Sequence, residues 1–467
     1  MGRGKVYRKI YGILLIGIFL TLLSSCGKEE TDTIVLRISN WEEYIDEGDW
    51  EEEDAVSLSD GTIILPQNSL IEDFQDWFYQ VYGKEVKVEY STFGTNEELY
   101  NQITLGDTYD LVCPSEYMIM KMMAEDLLLP FSEEFYKDSE YQYYRSGVSP
   151  YIKQVYDKLE INGEPLSKYA AGYMWGTLGI VYNPEEVTKE EAAHWDILLM
   201  DKFQKKITIK DSIRDAFFAG SSIYQEEQIT NPNFLIQADY KERLGELLNR
   251  TDQEAVDEIE EILSRVKDHV YSFETDSGKA DMVTGKVVAN QQWSGDAVYT
   301  LDQAEEDGIL LCYSAPEEAT NLWFDGWCML KSGINGDFEK QIAAEAFVNF
   351  ISRPDNAIRN MEYIGYTSVI SGGESDWISQ YIEWNYGVEE EEENQVEYEI
   401  SYFFGREYFV MTSQDQTQRQ LYAQYPPIEV MDRCVVMKYF NPEENRRINR
   451  MWTNVRCFDL AEWWRKY

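Results

Sequence analysis

Histidine is almost missing from this 467-residue chain, which holds only His194 and His269. That excludes His-rich metal centres and leaves little for a His-dependent nucleophile relay. Basic residues are scarce as well: 41 Lys and Arg stand against 86 Asp and Glu, a formal charge of −45. A nucleic acid needs a basic footprint, so it is excluded as the main partner, and a polyanion of this size attracts cations instead. There is no CxxC spacing. Beyond Cys26 the cysteines are Cys113, Cys312, Cys328, Cys434 and Cys457, odd in number and far apart. Neither a disulfide framework nor a zinc ribbon follows, and most are expected to be buried small apolar residues. No GxSxG elbow, Walker loop or HExxH occurs, so the common hydrolase, nucleotide and zinc-protease signatures are absent. Carboxylate pairs are too abundant for their spacing to argue a glycosidase. No cofactor and no metal is implied.

What is present is an acidic chain rich in rings, with 13 Trp and 34 Tyr, and 44% hydrophobic residues. That fraction supports sizeable cores, and the length suggests two or three units of about 150 residues. At the N-terminus Arg3, Lys5, Arg8 and Lys9 precede an apolar run from Ile10 to Leu23, followed by Leu23-Ser24-Ser25-Cys26. A basic segment, a short apolar segment and small residues before a cut describe an export signal over residues 1–25. The run is short for a membrane span, which takes about 20 residues. Leu-Ser-Ser-Cys resembles the bacterial lipobox, which implies that Cys26 carries the lipid and becomes the mature N-terminus, with 26–33 a tether. The expected location is the outer face of the cell membrane or the periplasm, held by the acyl chains alone.

Downstream, Ile34–Ile38 reads as a strand ending at Ser39-Asn40-Trp41. The acidic stretch Asp46–Asp54 reads as a solvated insertion. From Asn68 or Ser69 a helix carries Leu70, Ile71, Phe74, Trp77, Phe78 and Val81 at helical spacing. Val86, Val88 and Tyr90 alternate as a strand, Thr95-Asn96-Glu97-Glu98 fits a capping box, and Tyr109–Cys113 is a short buried strand. This order argues for parallel α/β structure. Later strands are expected at 179–182 and 207–209, and a helix at Gln341–Ser352. Glu389–Glu393 is expected to be a solvated loop. No internal repeat and no later membrane-length apolar stretch is found.

Acids sit beside aromatics at expected strand ends: Trp41-Glu42-Glu43-Tyr44, Ser115-Glu116-Tyr117 and Trp323-Phe324-Asp325. Ring faces attract organic cations and a carboxylate adds a charge-assisted hydrogen bond, so an alkyl amine is the ligand that uses both. Taken alone, each such cluster is more often a core-edge ring beside a surface acid.

These segments, with Thr95-Asn96-Glu97, Tyr109–Tyr117, Trp175-Gly176-Thr177, Asp211–Asp215, Trp293-Ser294-Gly295, Arg353-Pro354-Asp355 and Ile364-Gly365-Tyr366, occur in an order that resembles the spermidine/putrescine-binding proteins of bacterial polyamine ABC importers. The resemblance runs from Asn40 to about Tyr425. It implies a two-lobed type II periplasmic-binding-protein fold of the α/β class, with two chain crossovers and a ligand cleft between lobes. By that analogy lobe one holds 33–176 and 325–374, and lobe two holds 177–324 and 375–467. It implies a monomer that passes a polyamine to ABC permease subunits without catalysis. The ligand-binding residues so implied are Trp41, Glu42, Tyr44, Ser115, Tyr117, Asp215, Thr275, Trp293, Trp323, Asp325 and Tyr366, with Asp325 the central carboxylate. Arg214 is expected to orient Asp215. Ser212 stands where a second acid is usual, Glu42 where a neutral hydroxyl is common, and Lys438 near an expected glutamine, pointing away. Other solutes of such folds are the main alternative: thiamine, sugars, anions or ferric ion. Anions would need basic pocket residues, which the matched positions lack. An exported carbohydrate-active enzyme or an adhesive lipoprotein is the reading from another class.

Overall fold

The computed structural model describes residues 33–137, 141–388 and 394–457. The expected signal segment, Cys26, most of the tether and the Glu389–Glu393 run lie outside the described residues.

The chain opens with β1 (Ile34–Trp41), whose alternate buried side chains Leu36 and Ile38 begin the core. Helix α1 (Leu70–Tyr82) starts where Ser69 accepts from the Glu72 N–H while Glu72 accepts from the Ser69 N–H, and it ends at the left-handed Gly83. Strand β2 (Val86–Phe93) returns parallel to β1, with Trp41 opposite Phe93. Helix α2 (Asn96–Leu105) is capped by the Thr95 hydroxyl. The expected reciprocal box is not closed there, because the Glu98 carboxylate takes the Gly94 N–H. Strand β3 (Leu111–Val112) pairs parallel to β1 and is shorter than expected, and α3 (Glu116–Ala124) follows it.

A long strand, β4 (Ala170–Tyr182), is buried along its whole length. Beyond it come β5 (Ile207–Lys210), α4 (Ile213–Ile229), α5 (Gln253–His269), β6 (Ser272–Glu274), β7 (Ala289–Trp293) and α6 (Ser294–Glu306). Strand β5 pairs parallel with both β6 and β7, and β7 runs antiparallel to β4. A second long strand, β8 (Thr320–Leu330), is antiparallel to β4 and to β3. The resulting sheet order is β6-β5-β7-β4-β8-β3-β1-β2. Two parallel α/β units are thus joined by two antiparallel strands that pass from one to the other.

Side-chain packing changes hands along those two strands. Ala170–Trp175 of β4 and Leu322–Leu330 of β8 belong to a first core, while Leu178–Tyr182 and Ala319 belong to the other side. Helices α7 (Phe338–Ile351), α8 (Pro354–Ile364) and α9 (Trp377–Tyr386) and the hairpin β9–β10 (Gln395–Glu399, Phe409–Ser413) add to the first core through Phe347, Ile358, Ile382, Tyr398 and Val410. Several pieces of the expected 375–467 block join the second lobe: Ala423 and Tyr422 pack with Leu301 and Tyr313, Val435 and Met437 follow, and α10 (Pro442–Arg456) packs there by Ile448, Met451 and Val455. The rest sits with the first lobe because its large side chains, among them Tyr381, Phe403 and Tyr425, are buried against Trp175 and Met361.

The 46–54 stretch also departs from expectation. Asp46 is fully buried and Trp50 nearly so. Arg359 of α8 pairs with Asp46 and with Asp73 at 2.7 Å, and the Trp50 indole donates to Asp46 at 2.9 Å. A carboxylate this deep is tolerated because each oxygen has a donor. The segment is therefore pinned to the first lobe rather than solvated, although Glu51–Asp54 remain exposed.

Candidate functional site

A cleft of about 490 Å³ opens where the two lobes meet, between the C-terminal ends of β1, β3 and β5. This is where open parallel sheets place ligands. Every residue expected from the sequence to bind a ligand lines it: Trp41, Glu42, Tyr44, Ser115, Tyr117, Asp215, Thr275, Trp293, Trp323, Asp325 and Tyr366.

Asp325 is buried in the first-lobe wall. The register between β8 and β4 shifts between Phe324 and Gly326, so Asp325 falls on an irregularity that frees it from the regular ladder. Such bulges re-aim a side chain. The Tyr44 hydroxyl donates to one carboxylate oxygen at 2.8 Å and the Ser115 hydroxyl to the other at 2.7 Å. Ser115 is itself set by Asn96, whose amide donates to the hydroxyl at 3.1 Å while its oxygen accepts the Ser115 N–H at 3.0 Å. Burial pushes the Asp325 carboxyl up to about 6, with the Ser115 and Tyr44 hydrogen bonds working against the rise.

Rings frame that carboxylate. Tyr44 meets Tyr366 edge to face at 5.3 Å, and Tyr366 meets Trp323 at 5.6 Å. Trp41 rests on Phe93 at 4.7 Å. The turn bearing Tyr44 is held by its own carbonyl, which accepts from the Tyr173 hydroxyl at 2.8 Å and the Asn40 amide at 3.2 Å. Tyr366 reaches the cleft because α8 stops at Gly365 with φ +73, a left-handed turn that favours glycine. Gly295 accepts the ring: a Cβ there would stand 2.4 Å from Tyr366 Cγ. The Tyr366 hydroxyl then donates across the cleft to Asp296 at 2.9 Å.

The second-lobe wall is built differently. Ser212 caps α4 by accepting the Asp215 N–H at 3.3 Å, which places Asp215 in the first turn, where the helix dipole favours an anion. The departure at Ser212 therefore has a structural use. The Trp293 indole donates to the Asp215 carboxylate at 3.4 Å. Burial raises the Asp215 carboxyl above its ordinary value, opposed by Ser212, Trp293, Lys210 and Arg214. Lys210, nearly fully buried, donates to Asp296 at 3.1 Å and to the Thr275 carbonyl at 3.2 Å, and stands 4.7 Å from the Trp293 ring centre. Burial works against ionisation of Asp296, yet Lys210, Lys279 and the Tyr366 hydroxyl hold its carboxyl below the usual range.

The remaining expected residues take peripheral places. Glu42 and Thr275 are exposed at the rim, and the Tyr117 hydroxyl donates to Glu97 at 3.2 Å. Lys438 is exposed and Met437 lines the cleft instead. Arg214 is not an orienting partner of Asp215: it lies between the Tyr117 and Phe440 rings, at 4.0 and 4.4 Å, and donates to the Lys438 carbonyl. Lys210 and Arg214 together correct the expectation that the cleft lacks basic residues. Glu116 and Asn96 line the cleft and Asp296 accepts from Tyr366, and none of the three is among the ligand-binding residues expected from the sequence. Glu116 lies inside the Ser115-Glu116-Tyr117 motif, and burial raises its carboxyl to about 8, partly offset by Arg214. No cluster of metal-ligating side chains occurs among the described residues.

Comparison with known proteins matches the geometry. Residues 69–420 fit the family model for bacterial extracellular solute-binding proteins. The spermidine/putrescine-binding periplasmic protein of Salmonella typhimurium is 24% identical over 60% of this chain and 70% of its own. The putrescine-binding periplasmic protein PotF of Escherichia coli is 23% identical over 86% of this chain and 95% of its own. Among solved structures, the spermidine/putrescine ABC transporter substrate-binding protein PotD of Streptococcus pneumoniae superposes with a TM-score of 0.58 at 25% identity. It covers 90% of this chain and 98% of that one. The TpPotD lipoprotein of Treponema pallidum shares the two-lobed fold with a TM-score of 0.59 at 16% identity, over 90% and 99% of the two chains. Two α/β lobes, two strand crossovers and a ring-lined cleft between them, together with the family match over most of its length, make this chain a member of the bacterial extracellular solute-binding protein family.

Proposed function

We propose that the protein captures a small organic amine of the polyamine class outside the cytoplasm and delivers it to an ABC importer. One observation carries this: Asp325 is a deeply buried carboxylate fixed by two hydroxyls, ringed by Tyr44, Trp323 and Tyr366. An ammonium placed there gains a charge-assisted hydrogen bond and ring faces, and its methylenes leave water against Trp41 and Trp323. The matched relatives bear spermidine/putrescine-binding names, which supports the same class.

The ligand touches both lobes only when they are shut, so binding energy itself favours closure. The site residues named above are the ligand contacts in this reading. Export and lipid anchoring at Cys26 would keep the receptor near the permease, acting as a monomer that binds and releases without chemistry. The test is calorimetry with putrescine and spermidine, alongside a thermal-shift panel that includes thiamine and sugars. The reading expects stabilisation by amines alone. Stabilisation by a sugar or thiamine and by no amine would overturn it.

A further inference from the structure

Two cationic side chains line the cleft from the second lobe, and they differ in how they are satisfied. Lys210 is taken up by Asp296, the Thr275 carbonyl and Glu274, the last at 3.5 Å. Arg214 is 8% exposed, sandwiched between two rings, and bonded to one backbone carbonyl. Among the described residues no carboxylate forms an ion pair with it, and its Nε–H is buried without an acceptor. One further N–H donor lining the same cleft, the indole of Trp323, is also buried and unpartnered, as is one acceptor, Asn321 Oδ1, while the Trp41 indole is directed at Asp325.

Buried donors are rarely left without lone pairs to receive them. A fully protonated polyamine offers only N–H donors, so it would satisfy Asp325 and Asn321 and leave the Arg214 and Trp323 donors empty. A second ammonium at the Arg214 end would also meet a fixed like charge in a poorly solvated space. Glu116, Glu97 and Asp215 act on Arg214 without forming an ion pair with it, and burial raises the Glu116 carboxyl to about 8.

We propose that the preferred ligand is an amine with a single ammonium end, held by Asp325, and an acceptor-bearing end, a carboxylate or amide carbonyl, received by Arg214. Arg214 is then a specificity-determining residue. This inference rests on the amine reading above: it keeps the ammonium site at Asp325 and replaces the second ammonium of a polyamine by an acceptor, as in ω-amino acids and mono-N-acylated diamines.

The test is calorimetry on the whole mature protein with three probes: putrescine, N-acetylputrescine and 4-aminobutyrate. The inference expects N-acetylputrescine or 4-aminobutyrate to bind at least about tenfold tighter than putrescine, with the two arms identifying which acceptor is used. Arg214→Gln is expected to lower that ligand's affinity about tenfold or more and to leave putrescine equal or tighter. Putrescine binding at least as tightly as both others overturns the inference while the amine reading stands. So does a variant that weakens all three probes equally. Binding of no amine of either kind overturns both. The wild-type ranking decides the matter should the variant fail to fold.

Discussion

The two walls of the cleft use the same residue types to different ends. On the first-lobe side Asp325 is met by hydroxyls and rings. On the second-lobe side Asp215 and Asp296 stand among Lys210, Arg214 and Lys279. Each carboxylate is buried, but only the first is left to be neutralised by something from outside. The difference shows that a count of acids in a cleft does not count ammonium sites. What matters is which charges the protein has already balanced.

Removing the first wall's support should have the largest effect. Arg359→Met leaves Asp46 buried without its cation, and losing one member of such a pair costs about 3–5 kcal/mol. A drop of that size in chemical denaturation, with the turn carrying Tyr44 loosened, is the expected result. An unchanged midpoint would show that the acidic segment needs no anchor.

Asp325→Asn tests the comparison directly. An ammonium left without its carboxylate in a desolvated site should lose about 2–5 kcal/mol of binding, read by calorimetry with the ligand that binds best. Asp215→Asn should cost clearly less, because the Ser212 and Trp293 hydrogen bonds and Lys210 already hold that carboxylate. Equal losses at the two positions would erase the distinction between the walls.

Acidity gives a smaller and graded effect. With the Asp325 carboxyl at about 6, a proton competes with the ammonium below that pH. Affinity should be flat above about pH 7 and fall by about tenfold per unit below 6. Stability of the unliganded protein should move the other way. A carboxyl raised by burial favours the folded state below its unfolded value near 3.8, and that contribution is lost as pH rises through about 6. Titration of affinity at constant ionic strength checks the sign. The least effect is expected at the rim: Glu42→Gln should change affinity by about fivefold or less and mostly through the salt-dependent on-rate.

Much of this molecule was determined by its sequence alone. Periodicity and capping residues set α1 and β2, since apolar spacing and the Ser69–Glu72 exchange are local matters. The motifs' resemblance to polyamine-binding proteins was enough to name one set of cleft residues, from Trp41 to Tyr366, and the fold brings them to the same edge. Tertiary structure decided the rest. Asp46 reads as a surface acid until Arg359, 313 residues away, is packed onto it. The buried side chains from Ile378 to Val410 join the first lobe for reasons of large-ring packing that no local pattern carries. Arg214 sits beside Asp215 in the chain, but the helix turns its guanidinium toward Tyr117 of the other lobe. Charge balance in a buried cleft depends on distances across the fold, and those are set only when the two lobes are in place.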